Sequence, residues 1–215
     1  MARSRALFAD RIDAGRRLAD ALLAFRSDST VVLGVPRGGV PVARQVADAL
    51  GAPLDVLIVR KLGSPRHPEF ALGAIGEGQT RLVDAESLRS SGLDAALREV
   101  ERHERVELAR RAALYRSGRA RVPLAGARAI VVDDGVATGA TASVACRIAR
   151  QLGAAEVVLA VPVAPAGWEY RLEAEADALV AVAAPADFWA VGQWYERFDQ
   201  TSDAEVVEFL AGRGA

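Results

Sequence analysis

Ala129-Ile130-Val131-Val132-Asp133-Asp134-Gly135-Val136-Ala137-Thr138-Gly139-Ala140-Thr141 is the stretch that decides the reading of this chain. Its apolar start reads as a short buried strand, two acids stand at the strand's carboxyl end, and a small-residue loop opens a helix. Each part has a chemical use. Backbone N–H groups and hydroxyls at a helix amino terminus make a phosphate site, and Gly139 lets the main chain approach the ligand closely. Ala137, Thr138, Gly139, Ala140 and Thr141 are therefore the expected phosphate loop. Adjacent carboxylates accept hydrogen bonds from a vicinal diol and can help to hold magnesium, so Asp133 and Asp134 are candidates for both tasks. The combination describes a receptor for a phosphorylated ribose.

Outward from this stretch, the sequence alternates strands and helices. An apolar run at 30–35 ends in Gly34-Val35-Pro36-Arg37-Gly38-Gly39-Val40-Pro41, and a helix expected over 40–50 closes at Gly51. A second buried strand is expected at 54–59, a loop at 60–68 and a hairpin around 76–79. After the central stretch come a helix at 141–152, a strand at 156–161, a helix at 167–174 and a strand at 178–183. Such alternation calls for an α/β fold, a mostly parallel twisted sheet with helices on both faces, and ligands at the carboxyl ends of the strands. An amphipathic helix is expected over 5–25. Residues 84–120 read as a helical insertion, a hairpin laid over the core, with Leu93, Leu97, Val100, Leu108 and Tyr115 on one stripe and Glu101/Arg105 and Glu107/Arg111 spaced to pair. No linker or repeat interrupts the chain, so 1–215 reads as a single domain.

Composition narrows the partner. The 27 basic and 28 acidic residues nearly cancel, giving no broad positive field for nucleic acid or an anionic membrane. The single cysteine, Cys146, excludes an internal disulfide framework. The opening residues lack the apolar core of a secretory signal and no run reaches membrane-spanning length, which points to a cytoplasmic enzyme acting on a small molecule. Lys61 is the only lysine beside 26 arginines, so a compact ammonium at that position suggests a local requirement. His103 reads as solvated, Cys146 as a core residue and Trp168 as a helix-end residue, while the two histidines and one cysteine make no zinc site.

The central stretch resembles the signature of type I phosphoribosyltransferases, a hydrophobic run, two acids, three variable positions and Thr-Gly-x-Thr, and it is complete here. Adjacent acids after a strand also occur in response-regulator receivers, which do not need Thr-Gly-x-Thr; a nucleotide P-loop is excluded because no lysine follows the glycine. The resemblance covers about residues 30–200 and implies binding of phosphoribosyl pyrophosphate (PRPP) with Mg2+ and release of pyrophosphate. It places Ala137 to Thr141 on the 5-phosphate and Arg37, Gly38, Gly39, Arg60 and Lys61 on the pyrophosphate, with Asp133, Asp134 and Lys61 among the catalytic residues. Arg60 and Lys61 resemble the basic pair of adenine phosphoribosyltransferases, which precedes a mobile catalytic loop, here 64–72. Glu69-Phe70 resembles that loop's acid and aromatic pair, which would make Glu69 the general acid or base where Ala137 replaces the aspartate of 6-oxopurine enzymes.

The segment 187–196 resembles the base-binding stretch of hypoxanthine-guanine enzymes. That likeness maps Trp189 onto the base-stacking aromatic and Glu196 onto an acid near the metal; the lysine that reads a 6-oxo group has no counterpart at 160–163. The implied activity is transfer of ribose 5-phosphate to a nucleobase-like acceptor, as in nucleotide salvage, with the base left open and a homodimer compatible. The alternative is a regulatory module of the same fold that senses PRPP or a nucleotide without turnover.

Overall fold

The computed structural model describes residues 6–63, 71–77, 80–83 and 94–212. Helix α1 (Arg11–Ala21) is capped by Asp10, whose side chain accepts the N–H groups of Ile12 and Asp13. It is shorter than the expected 5–25, and a 3-10 turn at Leu23–Phe25 follows. Strand β1 (Thr30–Gly34), helix α2 (Gly39–Leu50) and strand β2 (Leu54–Val56) come next. Gly51 closes α2 at φ 64°, a left-handed conformation that favours glycine.

The apolar run expected as one strand over 54–59 is divided. After β2 the chain leaves the parallel sheet, and β3 (Val59–Gly63) pairs antiparallel with β4 (Ala71–Gly76), which pairs with β5 (Arg81–Val83). The stretch Val56 to Val59 is apolar throughout and satisfies two different sheets equally well, so it carries no mark of the switch. Helix α3 (Asp94–Arg116) is one continuous helix with the expected pairs Glu101–Arg105 and Glu107–Arg111; residues 84–93 of the expected hairpin lie outside the described residues.

The second half holds β6 (Arg128–Val132), α4 (Ala140–Gln151), β7 (Glu156–Val163), α5 (Glu169–Leu172), β8 (Ala178–Ala183), a 3-10 turn at Val191–Trp194 and α6 (Asp203–Leu210). The main sheet is five-stranded and parallel, in the order β2-β1-β6-β7-β8. Alternation along its strands divides the core. Val31, Leu33, Val131, Leu159 and Val161 pack with Ala145, Cys146 and Ile148 of α4; Val32, Ile130, Val132 and Val158 pack with Leu18 of α1, Leu22 just after it, and Val42 and Val46 of α2. Trp168 is buried in the first of these cores rather than capping its helix by a side-chain hydrogen bond.

The small sheet lies against this body. Ile148 of α4 abuts Gly76, where a Cβ would meet its Cδ1 at 2.6 Å. Arg116, at the end of α3, is buried and donates to Asp55 of β2 at 3.0 Å and to Glu77 just after β4 at 2.9 Å. Leaving any of these charges unpaired inside the protein would cost several kcal/mol, roughly 3–5, so the triad fixes the small sheet to the edge of the large one.

Candidate functional site

The carboxyl ends of β1 and β6 adjoin in the parallel sheet, and each runs into a loop that opens a helix. After β6, Asp133 and Asp134 are both partly buried. After β1, the loop turns at Gly38 and Gly39, and these two glycines lie against the acids. A Cβ on Gly38 would stand 2.0 Å from Asp134 Oδ2, and one on Gly39 would stand 2.6 Å from the Val132 carbonyl oxygen and 2.8 Å from Asp133 Cα. Only residues without a side chain permit that approach. The two loops marked out separately in the sequence therefore form one surface.

The acids sit in an unfavourable environment. Burial pushes the Asp133 carboxyl well above the ordinary carboxylate value, and the charge of Asp134 adds to the effect. Burial also raises Asp134, opposed by the nearby Arg11 guanidinium. Arg11 Nε and Nη2 each reach Asp134 Oδ2 at 2.8 Å. The Tyr195 hydroxyl donates to the Asp134 main-chain carbonyl at 2.6 Å, and burial pushes that hydroxyl's pKa upward, keeping it a donor. Asp133 Oδ1 accepts the N–H of Asp134 at 2.9 Å.

The loop 137–141 leads into the amino terminus of α4. Ala137, Thr138 and Ala140 are exposed, Gly139 turns the chain at φ 85°, and the first N–H groups of a helix have no partner within it. A turn of this kind is suited to an anion. Beside it, a cavity of about 470 Å³ opens between the small sheet and α4, lined by Lys61, Leu82, Ala140, Ser143 and Arg147 among others.

The basic pair is split by strand alternation. Arg60 turns towards α3 and ion-pairs with Glu104, whereas Lys61 is exposed and faces the cavity beside the 137–141 loop. Arg37 lies 3.9 Å from Asp203, whose Oδ1 also accepts the Tyr115 hydroxyl at 2.7 Å. Glu69 lies outside the described residues.

Glu196 is not gathered with the acids. It lines a different cavity, with Phe8, Asp13 and Arg17, and among the described residues no group of three or more acidic, histidine or cysteine side chains is placed to hold a metal. The reason is alternation in an extended segment: Phe8 bridges Tyr195, and since Tyr195 points to Asp134 its neighbour points away. Trp189 is 89% exposed on the segment before the 3-10 turn, whose Val191 packs against Gly135 of the acid loop. The aromatic seal at this sheet edge is made by others, Phe188 against Trp194 and Phe8 against Tyr195.

A model of the phosphoribosyl transferase domain matches residues 9–193. The chain belongs to the phosphoribosyl transferase domain family. Rv0571c of Mycobacterium tuberculosis (strain ATCC 25618 / H37Rv), provisionally named a phosphoribosyl transferase, is 56% identical over 205 residues, 95% of this chain and 46% of that protein. The chain thus spans about half the length of the curated relatives it matches. The crystal structure of TT1426 from Thermus thermophilus is 43% identical, covers 97% of this chain and 99% of its own, and superposes with a TM-score of 0.86. In this phosphoribosyl transferase domain no helix among the described residues is long and apolar enough to cross a membrane.

Three residues of the site escape a reading of the sequence. Arg11 and Tyr195 reach Asp134 from 123 and 61 residues away, and no local pattern announces either contact. For Asp203 a signal exists that was not read: Ser202 and Glu205 form a capping box that marks the start of α6.

Proposed function

We propose that this phosphoribosyl transferase domain binds PRPP with Mg2+ and transfers ribose 5-phosphate to a nucleobase-like nitrogen, releasing pyrophosphate. The observation that carries the reading is the contact of Gly38 and Gly39 with Asp133 and Asp134, which puts an arginine-bearing loop and a vicinal acid pair on one surface beside a helix amino terminus. The 5-phosphate sits on residues 137–141, the ribose diol on the acid pair, and the pyrophosphate on Arg37, the amides of Gly38 and Gly39, and Lys61. Arg60 stays with Glu104 and supports the strand that presents Lys61.

The acid pair suits magnesium. The ion is commonly held by one or two carboxylates together with substrate phosphates, and a partly buried acid pair in which Asp134 raises the pKa of Asp133 favours a neighbouring cation. When bound, it would neutralise charge on the departing pyrophosphate. In the transfer, the C1′–O bond to pyrophosphate breaks with its electron pair on oxygen, and the ribose passes through an oxocarbenium-like state. The acceptor nitrogen then forms the C1′–N bond from the opposite face, and its proton passes to a base, the role proposed for Glu69. The protein supplies position and charge stabilisation. Exposed Trp189, beyond the acid loop, offers a face for the acceptor ring.

The test is pyrophosphate release from PRPP and Mg2+ with a panel of purines and pyrimidines. Release with at least one base supports transfer; tight PRPP binding without release for any base would favour the sensing module.

A further inference from the structure

We infer that Arg11 is a positioning residue that fixes the direction of the Asp134 carboxylate, and that the chain following the matched family region holds Arg11 in place. The inference rests on the proposed PRPP reading and adds a residue to it. Arg11 opens α1, and its guanidinium is engaged on several sides at once. Nε and Nη2 take one oxygen of Asp134 at 2.8 Å, Nη1 donates to the Asp199 carbonyl at 2.6 Å, and the group lies 3.9 Å from the centre of the Phe198 ring. Its side chain is only 12% exposed. A surface ion pair keeps much of its freedom, but a planar fork held by a carboxylate, a carbonyl and a ring has one orientation.

The same unit grips Asp134 twice. Its carboxylate oxygen accepts from Arg11 and lies against Gly38, and its carbonyl accepts the Tyr195 hydroxyl at 2.6 Å. Tyr195, Phe198 and Asp199 all lie beyond residue 193, where the family match ends. A vicinal diol meets two carboxylates only if both keep their spacing and direction, so a fixed Asp134 prepares the site before the ligand arrives. Lysine at position 11 would keep the charge without the fork, and methionine would keep the bulk alone.

The experiment is calorimetric titration of Mg2+ and PRPP into wild type, Arg11→Lys, Arg11→Met, Asp134→Asn and the double variant Arg11→Met/Asp134→Asn, each first shown to be folded by circular dichroism. Arg11→Lys is expected to raise the dissociation constant at least about tenfold, since the paired, charge-assisted contact is lost. The double variant is expected to bind no more weakly than Asp134→Asn alone, because Arg11 acts through Asp134. If Arg11→Met does not fold, Arg11→Lys decides by its own affinity. Wild-type affinity in Arg11→Lys, or losses that simply multiply in the double variant, would overturn the positioning role while leaving the proposed function standing. A wild type that fails to bind PRPP would remove the proposed function and this inference with it.

Discussion

Gly38 and Asp134 come from different loops, yet a Cβ on Gly38 would lie 2.0 Å from the Asp134 carboxylate oxygen. That oxygen is held by Arg11, whose Nε would itself stand 3.2 Å from the added Cβ. Gly38→Ala should therefore displace one loop or the other. The expected result is a loss of about 1–3 kcal/mol in stability from overpacking and a PRPP affinity weakened at least about tenfold. Thermal melts and calorimetry on the same preparation check both.

Asp133 should trade stability against binding. Burial and the Asp134 charge raise its folded pKa above the unfolded value, so the ionised form costs stability once the pH exceeds that unfolded value, and the cost grows as pH rises through the folded pKa. Asp133→Asn removes the cost. The variant should melt higher than wild type at neutral pH, and the advantage should shrink as the pH falls towards the ordinary value of 3.8. Melting temperatures across pH measure it; a variant less stable than wild type at pH 7 would contradict the electrostatic picture.

Much of this architecture was legible in the sequence because its signals are local. Ile130 to Val132 alternate between two buried faces, Gly51 ends α2 in a left-handed turn, and Thr-Gly-x-Thr marks the start of α4. What escaped depends on distant geometry. The sheet switch after Val56 hides inside the apolar stretch Val56 to Val59. Arg60 and Lys61 read as one basic pair, but pleating sends them to opposite sides and α3 supplies Glu104 to one of them. Glu196 was placed by likeness to a motif, whereas the Phe8 to Tyr195 bridge turns Tyr195 rather than Glu196 to the acids.

Lys61 offers a test of charge geometry. It is exposed, so Lys61→Arg should leave stability within about 0.5 kcal/mol of wild type. If its compact ammonium meets the pyrophosphate, the turnover number should nonetheless fall, because a guanidinium fork presents its charge differently. Steady-state kinetics with unchanged turnover would return Lys61 to an ordinary solvated role.

Trp189 is nearly free of the protein, so Trp189→Ala should not change the melting temperature appreciably. Stacking of a base on an aromatic ring contributes about 1–3 kcal/mol, which corresponds to roughly a five- to hundredfold rise in the acceptor's Michaelis constant. The constant for PRPP should stay near wild type. Equal changes in both constants would remove Trp189 from the acceptor site.

The central claim is that Asp133 and Asp134 receive PRPP, and calorimetric titration of Mg2+ and PRPP into wild type and Asp133→Asn/Asp134→Asn tests it most directly. Hydrogen bonds to charged groups contribute roughly 1.5–3 kcal/mol each, so the double variant should bind at least about a hundredfold more weakly while remaining folded. A folded double variant that binds PRPP as tightly as wild type would contradict the account.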